Sequence, residues 1–102
     1  MAKDTEIKRE FMDKTARKLG GLLIFSPGVA IDLIERCRME KLKVLGLDGF
    51  FLHEGGGVQP SMEHSLDLSN VESSRTHDLA FEFIRAREGK GLHFEVVVAS
   101  DT

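Results

Sequence analysis

Apolar residues return along this chain in two rhythms, every three to four positions and every second position, and the alternation of the two predicts its elements. Ile7, Phe11, Thr15 and Leu19 recur every four residues while Lys8, Arg9, Asp13 and Arg17 face elsewhere. That spacing predicts a first helix, capped by Asp4 or Thr5 and running to about Leu19, with Gly20-Gly21 ending it. Leu22 to Phe25 follows as a short, continuously apolar strand. Ser26-Pro27 is the clearest start signal: serine caps free N–H groups, and proline at the first helical position has none to leave unpaired. Ala30, Leu33, Ile34 and Cys37 then form one face of a helix ending near Glu40.

Two extended segments come next, Lys43 to Leu52 and Val58 to Leu68, joined by a hairpin turn at Glu54-Gly55-Gly56-Gly57. Ser73 or Ser74 opens a last helix whose buried stripe is expected to be Leu79, Ala80, Phe83 and Ile84, stopped by Gly89-Lys90-Gly91. Leu92, Phe94, Val96 and Val98 alternate with His93, Glu95 and Val97 as a final strand. The order is a helix and then β-α-β-β-α-β. The expected fold is therefore α+β, a two-layer sandwich in ferredoxin-like βαββαβ order behind an N-terminal helix. Residues 1–102 read as one domain, with 1–19 packing on the sheet or at an interface.

Hydrophobic pattern also predicts a hairpin register. A three-residue loop at Gly55-Gly56-Gly57 pairs Leu52 with Pro60, Phe50 with Met62, Gly46 with Leu66 and Val44 with Leu68, so both apolar sets face the same way. Asp48 then falls opposite His64 on an otherwise apolar face, as a charge-assisted pair locking the register or as a base and its orienter. Leu45, Leu47 and Phe51 point to the other face, which needs a cover: the first helix, through Ile7 and Phe11, or a partner surface.

Composition narrows the function more than it names it. At 41% hydrophobic and 30% charged residues the chain is built to fold, and without Trp or Tyr its seven Phe supply the aromatic bulk. A net charge of −3, with basic residues interleaved among acids, argues against nucleic acid as the partner. The longest apolar runs are far too short to cross a bilayer, and the polar start carries no signal-peptide core, so a cytoplasmic location is expected. Cys37, the single cysteine, sits on an apolar stripe and reads as a structural thiol.

Further polar candidates are His53 and Glu63 beside the hairpin turn, and His93 and Glu95 on the outer side of the last strand, which could rim a shallow ligand site. No H-E-x-x-H or Cys/His spacing supports a metal, the glycine run lacks the lysine and helix of a phosphate loop, and no cofactor is expected. His77 reads as a surface residue of the last helix. The favoured reading is a small non-enzymatic protein-binding module, accessory or immunity/antitoxin-like, contacting a protein partner or itself as a homodimer through Leu45, Leu47, Phe51, Ile7 and Phe11. The alternative is a small-ligand-binding protein or enzyme with a pocket near Asp48/His64 or His53/Glu63.

Overall fold

The structure, a computed structural model, describes residues 3–100. The first two residues of the expected 1–19 segment, and residues 101 and 102, lie outside the described residues. The chain runs α1 (Lys3–Phe11), a 3-10 turn (Met12–Lys14), β1 (Arg17–Leu19), β2 (Leu22–Ile24), α2 (Pro27–Met39), β3 (Val44–Leu52), β4 (Val58–Asp67), α3 (Ser73–Arg85) and β5 (Leu92–Val98). This is an α+β fold. Its main sheet has the order β4-β3-β5, antiparallel throughout, and the β1–β2 hairpin adjoins β5 through one bridge, Phe25 with Phe94. A ferredoxin-like interleaving needs the strand near residues 22–25 inside the sheet, whereas here β3 holds the centre and that strand meets β5 by two 2.8 Å backbone hydrogen bonds.

The first helix is shorter than its four-residue spacing implies. It stops at Phe11, Thr15 Oγ1 donates to Met12 O, and the chain then turns back as β1 against β2, Arg17 opposite Ile24 and Leu19 opposite Leu22. Gly20-Gly21 is therefore the two-residue turn of a hairpin, with Gly20 at φ +60°, and Leu19 is 55% exposed. A glycine pair serves a helix end and a tight hairpin equally, because both need positive φ.

The second helix begins as read, with Ser26 Oγ accepting from the Val29 N–H and Pro27 at its first position. Its buried face is Ala30, Leu33, Ile34 and Cys37. It closes with Lys41 at φ +60° and the Leu42 N–H on Cys37 O. Burial pushes the Cys37 thiol up to about 11, which leaves it protonated and inert.

Two bulges decide which side of the sheet faces the helices. In the β3–β5 ladder, Leu47 opposes Val96, Gly49 opposes Phe94 and Phe51 opposes Leu92, all on the helix side with α2 on β5 and α3 on β3. A break between Val44 and Gly46 lets Val44 and Leu47, three apart, both be buried. The expected facing is thus reversed for residues 46–52. Leu47 is 1% exposed, Ile7 and Phe11 belong to the same core, and Phe51 packs against it. Leu45 is half-buried within the break. Ile7, Phe11, Leu47 and Phe51 are thus occupied inside the chain itself, and α1 lies along α2.

The last helix is turned relative to its expected stripe. Thr76, His77, Ala80, Phe81 and Ile84 are buried, while Leu79 and Phe83 are only partly buried. His77 is not a surface residue: it is 7% exposed and its Nε2–H donates to Leu42 O at 2.6 Å, tying α3 to the segment that leads into β3. His77→Ala is expected to destabilise the protein by about 2–3 kcal/mol, from lost packing and an orphaned carbonyl. Urea unfolding would measure it, and a change within about 0.5 kcal/mol is what a surface histidine would give.

Candidate functional site

The turn of the long hairpin is an odd one, as expected, but its three loop residues are Glu54-Gly55-Gly56, one position earlier, which shifts the pairing by two. His53 N–H bonds to Gly57 O and Gly56 N–H returns to His53 O, so Leu52 meets Val58 and Phe50 meets Pro60. Beyond Gly49–Ser61 the register breaks, and the next pair is Leu47–Leu66. Residues 62–65 of β4 therefore stand against Asp48 alone. The Ser65 hydroxyl stitches the bulge, accepting from the Gly49 N–H and donating to Ser61 O. It throws Met62, placed by its spacing in the core, out to 87% exposure.

The same bulge separates the expected Asp48–His64 pair. His64 Nδ1 accepts from Arg87 Nε at 3.1 Å, and its ring stands edge-on to Phe51. The Arg87 guanidinium lies 3.6 Å from the Phe83 ring centroid and donates to Phe83 O. Sequence reasoning passed over Arg87, which sits in the turn just past α3 and reaches back four residues onto Phe83. With its Nδ1 lone pair committed to a guanidinium, His64 is poorly placed to accept a substrate proton.

Asp48 instead faces Glu95 across the β3–β5 ladder, on the sheet side turned from the helices. The two carboxyls are thus set against each other across adjacent strands, an arrangement that favours holding a proton on Glu95. Burial, and then the hydrogen bond and charge of Asp48, push Glu95 up to about 7, while Lys8 draws it down. His93 lies two residues away on the same side, and its buried Nδ1 has no hydrogen-bond partner among the described residues. Ile24 and Phe50 are buried on this side too, at 0% and 7% exposure. Arg17, opposite Ile24, reaches Gly56 O at 2.7 Å, which closes the hairpin tip across the outer face.

His53 and Glu63 do not come together. His53 Nε2 is hydrogen-bonded to Gln59 Oε1 on the exposed hairpin, and Glu63 is exposed on the bulge. Glu95 also lines a cleft of about 80 Å³ where β2 parts from β5, with Ile7, Lys8 and Leu23 around it. That space suits a few waters rather than a substrate. No group of three His, Cys, Asp or Glu converges as a metal site among the described residues, and none of their helices is long and apolar enough to cross a membrane.

A broader feature lies where α3 overhangs the edge strand β4. Leu66, Leu68, Val71, Leu79 and Phe83 line an open apolar groove, with Asp67 and Glu82 at its rim. The N–H and hydroxyl of Ser69 hold Asp67 below the usual carboxylate range, so this rim stays negative. The groove exists because α3 is rotated toward Ala80 and Ile84, leaving Leu79 and Phe83 only partly buried. No protein-family model matches this chain, and no curated protein matches it in sequence.

Proposed function

We propose that the protein is a binding module without chemistry of its own, and that the groove between α3 and β4 receives an apolar segment of a protein partner with basic flanks. The observation that carries this reading is the pairing of a partly buried apolar floor, Leu66, Val71, Leu79 and Phe83, with an acidic rim at Asp67 and Glu82. Met62 stands out beside it on the bulge of the same strand. A small acidic accessory protein, immunity- or antitoxin-like and working in a reducing compartment such as the cytoplasm, fits this description by analogy of size and charge.

A homodimer has less support than a foreign partner. The residues that motivated it, Leu45, Leu47 and Phe51, are drawn into the core or the sheet break. Strand-to-strand pairing along β4 is opposed by Pro60 and by the 62–65 bulge, devices that blunt a sheet edge. Two copies meeting at the groove would also set Asp67 and Glu82 against themselves. The small-ligand or enzyme reading keeps one supporting observation, the opposed Asp48 and Glu95 carboxyls, of which Glu95 lines the narrow cleft.

Peptide display against the purified protein tests the proposal. Selected sequences are expected to carry apolar anchors flanked by Lys or Arg. Leu79→Asp should weaken their binding by more than about tenfold, and Glu82→Lys, which leaves the floor intact, by about threefold to tenfold, the range of a rim charge or two. Peptides without basic residues, or binding indifferent to both variants while the fold is kept, would overturn the groove. Binding lost in Glu95→Gln but kept in Leu79→Asp would favour the small-site reading instead.

A further inference from the structure

We propose that Asp48 and Glu95 form a proton-linked latch between the central strand of the sheet and its neighbour. The two carboxyls are directly opposed in adjacent strands, where like charges repel and a shared proton turns repulsion into a hydrogen bond. Their surroundings favour the protonated form. The bridge at Phe25–Phe94 sets Ile24 beside Glu95 in the same row, and Ile24 is fully buried, so the row is drier than an open sheet face.

The charged and titratable groups around the pair are few. On β5 itself there is His93; from the β4 bulge that stands against Asp48 comes the exposed Glu63; from α1 comes Lys8, across the cleft that Glu95 lines; from β1 comes Arg17, whose guanidinium is held by Gly56 O. Lys8 is the cation close enough to act on Glu95. When the proton leaves, Glu95 and Asp48 repel, and Glu95 gains by turning from β3 toward Lys8. The latch thus exchanges a β3–β5 tie for a β5–α1 tie, and it loosens the sheet at the point where β4 bulges against the same Asp48.

The sign follows from linkage. Glu95 holds its proton more tightly in the folded chain than in the unfolded one, so this contribution to stability is full below the ordinary glutamate pKa. It is lost as pH rises through about 7. The test is urea unfolding of wild type and Glu95→Gln across pH 5 to pH 8, with carbon-13 NMR of the glutamate carboxyls. Relative to the variant, the unfolding constant of wild type is expected to rise roughly tenfold to a hundredfold over that range, and one glutamate to titrate near neutrality. Asp48→Asn should draw that titration toward the normal range. Parallel pH profiles for wild type and Glu95→Gln, or every glutamate titrating like a free side chain near about 4.3, would overturn the latch.

Discussion

Phe94→Ala is expected to cost about 3–5 kcal/mol, enough to consume much of the stability of a domain this size. Phe94 is fully buried, stands edge-on to Phe83 at 6.3 Å between ring centroids, and lies opposite Gly49 in the β3–β5 ladder. Its backbone also makes both hydrogen bonds to Phe25 that attach the β1–β2 hairpin to the sheet. Alanine leaves those bonds possible but removes the ring that α2, α3 and β5 share. Gly49 has no side chain to relax into the space, and the helices are held by their own contacts, so much of the cavity should persist. Urea denaturation read by circular dichroism would measure the loss; a change below about 1 kcal/mol would mean that Phe94 is not in the core.

Gly49→Ala is expected to be nearly as damaging, about 2–4 kcal/mol, for the opposite reason. A Cβ there would come within 2.9 Å of His64 Cβ and closer still to the His64 carbonyl oxygen, because the β4 bulge folds directly onto this position. The obstacle is backbone, pinned by the Ser65 hydroxyl and by Arg87 on His64, so it has little freedom to move. Gly56→Ala makes a useful contrast. A Cβ there meets only the end of the Arg17 side chain, and its cost comes from φ +98° alone. Equal stability of Gly49→Ala and wild type would contradict the bulge and everything placed by it.

What the sequence shows plainly is what is local. Ser26-Pro27 states where the second helix begins, and the alternation from Leu92 to Val98 states both the last strand and its buried side. The glycine run states an odd-numbered hairpin turn. Other features depend on partners that sequence spacing does not contain. A bulge conserves the composition of a strand while shifting its facing, so spacing alone predicts an even ladder from Leu52 to Val44 that the bulges break. Sequence proximity offers Asp48 only the hairpin strand as a neighbour; that β5 flanks the other side of β3 is a fact of topology. The last helix carries apolar residues at 79, 80, 81, 83 and 84, which offer two overlapping stripes, and the polar Thr76 and His77 concealed which one is buried.

The groove and the latch both descend from those non-local features. The rotation of α3 leaves Leu79 and Phe83 only partly buried, and the β3–β5 ladder sets Asp48 opposite Glu95. They lie on opposite sides of the sheet, the groove on the helix side and the latch on the outer side. A change at one is therefore expected to leave the other intact, which makes them separable by experiment.

Binding at the groove is tested by a nitrogen-15 chemical-shift map recorded while a short apolar peptide flanked by lysines is titrated into the labelled protein. The amides expected to move belong to β4 from Met62 onward, to the loop at Val71 and to α3 between Leu79 and Phe83, with Asp48, His93 and Glu95 unmoved. Shifts confined to Asp48, His93 and Glu95, or to the cleft at Lys8 and Leu23, with a silent α3, would contradict it.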